Sequence, residues 1–337
     1  MLKSILQDVS RLLEQRKLTL SFVDIGSRNG VLELRDLARF IDAYGFEPNP
    51  DEYDKLITGE TDGFKLYGTK PPNYRSLTYQ PYAISNKDGE HEFYVTPGPG
   101  AAGLLEPDLE RLREIIWKGR QFKKNFGDDI FSDYKKINVG VRTLDSFVKE
   151  KKIGYIDYLK IDVEGSEYEI FEGAREILPL TGVIKTETCF IPFRKGQKLF
   201  SHVDLLLREF GFDLIRYEIE QAQVGYKQRL EPVEYLPGQF SDPYGQPLSC
   251  DAIYVNRNIT DPDRALAQAV ILIDKKYLDE GLHILKTRAA VKMPTLEETL
   301  RTAECYDALG YRLKGMAYRF VDNFVNKAAE IRAALGL

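Results

Sequence analysis

The octapeptide VDIGSRNG, Val23–Gly30, decides how this chain reads. It closes an apolar run, Leu20–Ile25, on Gly26, and is followed by a segment with Leu34, Leu37, Ala38 and Ile41 at helical spacing. A second apolar run, Ala43–Phe46, then stops at Glu47-Pro48-Asn49-Pro50. Strand, glycine turn, helix, strand is the opening of a parallel α/β sheet. Upstream, Leu2, Ile5, Leu6, Val9, Leu12 and Leu13 predict an amphipathic helix over 2–16.

Downstream the alternation is looser. Pro81–Ser85 predicts a third strand, followed by an Asn-Lys-Asp-Gly turn and an extended piece, His91–Val95. Residues 97–140 break the rhythm with a Pro/Gly-rich loop and one predicted helix, Asp108–Trp117, which marks a lid or substrate insertion. Regular order returns with a strand at Tyr158–Val163, a helix over Glu167–Leu178, a strand at Gly182–Thr188 and a helix over Leu199–Phe210. Asp213–Ile219 and Asp251–Asn256 read as closing strands, separated by a second insertion of about 220–250. From Pro262 onward the period is helical, with predicted helices over 262–289, 295–310 and 312–335. This divides the chain into a catalytic domain, 1–257, and a C-terminal helical extension, 258–337.

The 337 residues carry 47 basic and 52 acidic side chains, a net charge of -5. That balance argues against a protein that coats nucleic acid. Cys189, Cys250 and Cys305 lie far apart with no Cys/His cluster, so neither structural zinc nor a disulfide framework is expected. There is no long apolar run and no signal-like apolar core at the N-terminus, so no membrane insertion and a cytoplasmic setting are expected. Only three histidines are present, against 20 Tyr and 18 Phe.

The glycine turn suits a nucleoside-type cofactor. Glu47 ends the second strand, where a carboxylate can accept both hydroxyls of a ribose. Arg28 occupies the place of the middle glycine in a dinucleotide fingerprint, where a bare backbone normally approaches a pyrophosphate. S-adenosylmethionine has no phosphate, and Asp24 can face its amino group. A turn whose glycines solve only packing and positive-φ problems is the bland alternative.

The second chemical stretch is LKIDVEGSE, Leu159–Glu167. Its strand ends in Asp162 and Glu164, at the rim where open parallel sheets bind ligands. Glu187, near the end of the next strand, adds a carboxylate to that rim. Asp162, Glu187 and Glu164 are therefore the catalytic candidates, as hydroxyl bases or as oxygen ligands of a divalent cation. Glu167 reads instead as a first-turn carboxylate stabilising a helix. Lys160 shares a strand face with Asp162 and reads as an ion-pair partner. Arg194, Lys195 and Lys198 read as a solvated face, or as contacts to an acidic acceptor.

Together VDIGSRNG, GFEPNP (Gly45–Pro50), AISNKDGEHEFYV (Ala83–Val95), VRTLDSF (Val141–Phe147) and YLKIDVEGSEYEIFEGA (Tyr158–Ala174) resemble the FkbM-type family of S-adenosylmethionine-dependent methyltransferases. The resemblance continues through IKTETCFIPFRKGQKLF (Ile184–Phe200) and LLREFGF (Leu206–Phe212) and covers about residues 20–257. It implies a class I methyltransferase (Rossmann-like) fold: a seven-stranded, mostly parallel sheet whose last strand is antiparallel. By position it implies that Asp24, Gly26, Ser27 and Gly30 line the methionine end of the cofactor. Glu47 would hold the ribose, and Ala83 and Ser85 would lie beside the adenine. It also implies O-methylation of a sugar, polysaccharide or other hydroxylated metabolite. Ser27-Arg28 departs from the family's smaller residues at the turn.

With so few histidines, a carboxylate is the expected base, and His202 is the imidazole alternative. His91 and His283 read as surface or packing residues. A nicotinamide-dependent Rossmann oxidoreductase and a non-catalytic cofactor-binding module are the competing classes. The expected partners are a small-molecule or glycan acceptor and, through the C-terminal helices, a second copy of the chain.

Overall fold

The computed structural model describes residues 2–117, 130–219, 223–226 and 246–291. Thirteen strands lie among them: β1 (Leu20–Ile25), β2 (Ile41–Phe46), β3 (Ser76–Gln80), β4 (Ala83–Ile84), β5 (Gly89–Val95), β6 (Ile115–Trp117), β7 (Lys135–Arg142), β8 (Ile156–Ile161), β9 (Thr181–Cys189), β10 (Phe212–Ile219), β11 (Gln223–Tyr226), β12 (Gln246–Pro247) and β13 (Ser249–Asn256). Seven form one sheet in the order β10-β13-β9-β8-β1-β2-β3. Pairings from β3 through β9 are parallel, and β13 runs antiparallel between β9 and β10. This is the α/β sheet that the resemblance implies, closing on an antiparallel last strand.

Period-2 alternation sends the side chains of each strand into two cores. Phe22, Tyr158, Val183 and Val255 face one side, where they meet Leu13, Leu37 and the Pro262–Asp274 helix. Val23, Leu159 and Ile184 face the other, against the helices Leu144–Lys151, Glu167–Glu172 and Phe200–Glu209. Every residue from Ala265 to Ile273 is buried, as expected of a helix that is apolar all round. Its one central polar residue, Gln268, donates to the carbonyls of Gly182 and Asn256, both at 2.9 Å. The expected boundary after residue 257 falls between β13 and this helix, and the helix beyond it is packed into the core of the sheet.

Several elements differ from the sequence expectation. The sheet's third strand is β3, Ser76–Gln80, rather than Pro81–Ser85. Ala83–Ile84 instead joins β7 and β5 in a separate three-stranded sheet. Thus the stretch read as an irregular insertion ends in a regular eight-residue strand, Lys135–Arg142. The helix expected after the glycine turn is only a six-residue 3-10 segment, Arg35–Phe40, because Leu34 already sits at φ 52°. The helix expected over Asp108–Trp117 spans Leu109–Glu114 and gives way to β6. That expected over Glu167–Leu178 stops at Glu172, and that expected over 262–289 breaks into Pro262–Asp274 and Leu278–Thr287. The helices expected over 295–310 and 312–335, and most of the 220–250 insertion, lie outside the described residues.

Candidate active site

The strand that carries Phe22 into the core carries Asp24 onto the same face, one step nearer the rim. Along β8, Tyr158 gives way in the same manner to Lys160 and then Asp162. Apolar core thus becomes a charged rim at the carboxyl end of the sheet. Asp24 and Lys160 are neighbours in register, and Lys160 Nζ lies 3.3 Å from Asp24 Oδ1 and 3.3 Å from Asp162 Oδ2. The ion-pair reading of Lys160 is what the structure shows. Burial opposes the charge on Lys160, but Asp24 and Asp162 outweigh it and hold the amine protonated well above its ordinary range. Burial pushes the Asp24 carboxyl up to about 6, against the pull of Lys160.

Gly26 turns at φ 95°, and a Cβ there would lie 1.9 Å from the Asp162 carbonyl oxygen. The glycine turn is therefore pressed against the exit of β8, and Asp162 N–H donates back to Ile25 O at 2.9 Å. Ser27 N–H donates to Phe46 O and Gly30 N–H to Ser27 O, so these amides are already used. No helix begins at Gly30, so the glycine turn has no helix N-terminus behind it to meet a phosphate. Arg28 is likewise committed. Its Nε lies 2.6 Å from Glu52 Oε2, and its Nη2 pairs with Asp62.

A cavity of about 340 Å³ opens at this rim. Of the sequence-predicted residues, Asp24, Gly26, Gly30, Glu47, Ala83, Asp162 and Glu164 line it. Ser27 and Ser85 do not. Ser27 Oγ donates to the Phe46 carbonyl at 3.2 Å, and Ser85 N–H donates to the Arg142 carbonyl at 2.9 Å; both side chains are buried. Glu47 is buried, its Oε1 accepts the Asn49 N–H at 2.8 Å, and desolvation pushes its carboxyl up to about 7. The sequence reading missed Glu52, which also lines the cavity. Its signal was present in GFEPNPDE, where Asn49 caps and Pro50 starts a helix whose first turn holds Glu52. The start of the 97–140 stretch, read as a lid or substrate insertion, roofs the cavity with Pro99, Gly100, Ala102, Gly103 and Leu104, none of which the sequence marks as a site residue.

The Asp162–Gly165 loop is unusual. Glu164, a non-glycine residue, sits in the left-handed region at φ 63°, followed by Gly165 at φ 116°. Such a conformation persists only where its surroundings enforce it. Glu167 does so: its Oε1 accepts the N–H groups of Gly165 at 2.9 Å and Val163 at 3.3 Å. Glu167 does sit in the first turn of its helix, as read, but its carboxylate braces the preceding loop, and burial pushes its carboxyl up to about 7. Held this way, carboxylate oxygens of Asp162, Glu164 and Glu187 lie within 4.8 Å of one another. Glu187 is not among the residues lining the cavity, but it joins the other two beside it.

Two further expectations are corrected. Arg194 is among the largest fully buried side chains, not part of a solvated face. Its Nη1 and Nη2 donate to the carbonyls of Leu105 and Ala101, so it offers nothing to an acidic acceptor. His202 is exposed, and its Nδ1 accepts the Leu199 N–H at 3.3 Å, capping the start of its own helix, Phe200–Glu209. His91 and His283 are also off the rim; His91 Nδ1 meets the Glu92 carbonyl, and His283 lies exposed on the Leu278–Thr287 helix.

The FkbM methyltransferase domain model matches residues 24–214. The chain belongs to the FkbM methyltransferase family. It is 26% identical over 212 residues to methyltransferase sdnD of Sordaria araneosa, an alignment covering 59% of this chain and 76% of that protein. It is 27% identical over 198 residues to 2-O-methyltransferase NoeI of Sinorhizobium fredii, covering 55% of this chain and 70% of that one. Among solved structures, magnesium protoporphyrin IX methyltransferase (ChlM) of Synechocystis PCC 6803 with bound SAM aligns at 11% identity and TM-score 0.32, over 76% of this chain and 77% of that one.

As an FkbM methyltransferase, the protein uses S-adenosylmethionine, and the cavity fits that cofactor. It offers carboxylates to a cationic ligand at Asp24 and to a ribose at Glu47, with an apolar flank at Ala83, Ile84 and Phe93. It lacks both features that a pyrophosphate would need: a helix N-terminus behind the turn and an uncommitted Arg28. These observations weigh against the nicotinamide alternative.

Proposed function

We propose that this methyltransferase transfers the methyl group to a hydroxyl of a sugar, polysaccharide or other hydroxylated metabolite, with a rim carboxylate taking the hydroxyl proton. One observation carries the reading: Asp162, Glu164 and Glu187 converge at the edge of the cofactor cavity. The 2-O-methyltransferase activity in the name of the NoeI relative supports a hydroxyl acceptor.

When bound, S-adenosylmethionine supplies an electrophilic methyl group. Asp24, with Gly26 and Gly30 at the turn, forms the wall for its methionine end. Glu47 takes the ribose hydroxyls, and Ala83 flanks the adenine. Asp162, beside both Lys160 and the glycine turn, joins this wall to the acceptor side. There Asp162, Glu164 and Glu187 orient the acceptor hydroxyl and accept its proton at a carboxylate oxygen, so that alignment and proton removal act together. Histidine has no part in the step.

The three carboxylates also offer the oxygen donors that a hard divalent cation takes. Two of them already face protein cations: Asp162 meets Lys160 at 3.3 Å, and Glu164 lies 4.0 Å from Arg194. This charge balance supports proton transfer without a metal. Turnover unchanged by EDTA agrees with that reading, and loss of turnover restored by Mg²⁺ or Mn²⁺ overturns it.

The test of the proposal is Asp162→Asn and Glu187→Gln, each measured for turnover and for cofactor affinity. At least one should lower turnover about 100-fold, the usual scale of a general base, with the cofactor Kd little changed. Wild-type turnover in both removes the carboxylate base.

The described part of the C-terminal extension packs onto the sheet; the remaining helices through which dimerisation is expected lie outside the described residues. No helix among the described residues is long and apolar enough to cross a membrane.

A further inference from the structure

The roof of the cofactor cavity is fastened along two margins. Tyr94 and Gly103 exchange backbone hydrogen bonds of 2.9 and 3.2 Å, which fix it to β5. On the other margin, Asp108 N–H donates to Phe193 O at 3.0 Å, and Lys195 N–H donates to Glu106 O at 2.9 Å. Arg194 lies between these last two anchors and turns inward with no exposed side-chain surface.

Inside, its Nη1 donates to Leu105 O at 2.9 Å and its Nη2 to Ala101 O at 2.5 Å. Nη2 also lies 4.0 Å from Glu164 Oε2. Gln197 Oε1 accepts the backbone N–H groups of Phe193 and Arg194, which fixes the root of the side chain. Two glycines make room for it: a Cβ at Gly103 would lie 3.4 Å from Nη1, and one at Gly165 would lie 3.0 Å from Cδ. The guanidinium thus fills the seam where the roof, the acidic loop and the exit of β9 meet. A buried charge needs such partners to persist. A planar fork meets two carbonyls at fixed spacing in a way that an ammonium does not.

We propose that Arg194 is a positioning residue for methyl transfer: through Ala101 and Leu105 it holds the roof over the cofactor, and through Glu164 it holds the acceptor wall in register with that roof. The Glu164 half rests on the acceptor-side reading given above, whereas the roof half rests on the cavity alone. Sequence gave no hint of this role, since an arginine in the run FRKG looks like a surface charge.

Arg194→Lys keeps the charge and loses the fork. Calorimetry with S-adenosylmethionine should show the Kd at least tenfold weaker. Amide hydrogen exchange at 101–105 should be at least tenfold faster, while the strands of the main sheet keep wild-type protection. A folded Arg194→Lys protein with wild-type Kd and wild-type exchange at 101–105 overturns the roof half. If that variant does not fold, Gly103→Ala decides by the same two readings. It keeps Arg194 but sets a methyl 3.1 Å from the Val163 carbonyl, prying at the roof. Glu164→Gln should leave the cofactor Kd unchanged, and its turnover reports on the acceptor-side reading separately. In the double variant the turnover losses of Arg194→Lys and Glu164→Gln should not multiply; full multiplication shows that Arg194 does not act through Glu164.

Discussion

Replacing Gly26 with alanine tests whether the glycine turn is built as described. At φ 95° any Cβ carries a backbone cost of roughly 1–2 kcal/mol. The new carbon would also lie 1.9 Å from the Asp162 carbonyl oxygen and 2.8 Å from its carbon, where ordinary contact begins near 3.4 Å. The ends of β1 and β8 must therefore part by more than an ångström. The hydrogen bond from Asp162 N–H to Ile25 O spans this gap, and its loss adds about 1 kcal/mol. With the strain of the displaced loop, the expected destabilisation is about 3–4 kcal/mol. Because the turn and Asp162 both line the cavity, the cofactor Kd should weaken at least tenfold as well. Gly59→Ala is the control: it shares the left-handed backbone at φ 74° but has nothing within 4 Å of the added carbon. It should cost only the backbone strain, about 1 kcal/mol, and leave cofactor affinity intact. Urea unfolding and calorimetry read both quantities. A Gly26→Ala protein as stable as the Gly59→Ala control, with wild-type Kd, refutes the close approach of the two strand ends.

Other consequences concern charge. Asp24 and Glu47 are held up to about 6 and about 7 by burial. A cationic ligand prefers both ionised, so the S-adenosylmethionine Kd should tighten as pH rises from 5 through 7; a flat profile over that range denies them contact with the ligand. The stability of the ligand-free protein should respond in the opposite sense. Folded carboxyls whose pKa is raised bind their protons more tightly than the unfolded chain does. Their contribution is present at pH 4 and lost by about pH 7, and urea midpoints compared at pH 5 and 8 in Asp24→Asn and wild type will show it. At the other end of the sheet, Arg264 Nη1 meets both oxygens of the buried Asp157 at 3.1 Å. Arg264→Met leaves that carboxylate its Ser21 hydrogen bonds but no cation and should cost about 3 kcal/mol without moving the cofactor Kd; an equal loss of affinity would tie this pair to the site. His202→Ala should cost under about 1 kcal/mol and leave turnover within twofold, and a large loss of turnover would restore the imidazole alternative.

How much of this was legible in the chain depends on the kind of signal. Strands β1 and β8 are mostly apolar and buried on both faces, so the parallel α/β class and the placement of Asp24, Glu47 and Asp162 at one rim were legible in the sequence. β3 is an edge strand whose SLTYQ is largely polar, and β7, although Ile137, Val139 and Val141 alternate, opens on exposed Lys135-Lys136 inside the stretch read as an insertion. Leu34 hides a left-handed turn behind a residue type that usually favours helix, so a helical pattern yields only a 3-10 segment. At the site, spacing placed the three acidic residues at one rim but could not establish that they converge, nor that Ser27 and Ser85 lie outside the cavity lining, with Ser27 Oγ bonded to the Phe46 carbonyl. Nor could it show that Arg194 is buried, because burial of a charge depends on carbonyls some 90 residues away, at Ala101 and Leu105. The helix over Pro262–Asp274 was legible as a helix; its place in the sheet's core depends on Gln268 and on contacts that no local pattern encodes.

The central claim is that the cofactor's methyl group goes to a hydroxyl whose proton the acidic rim accepts. The direct measurement is transfer of labelled methyl from S-adenosylmethionine to fractionated glycans and hydroxylated metabolites, followed by alkaline treatment and NMR of the labelled product. The account predicts label in an alkali-stable methyl ether, formed by the wild type and strongly reduced in Asp162→Asn or Glu187→Gln. Label in an alkali-labile ester, or in an N-methyl or C-methyl group, contradicts it.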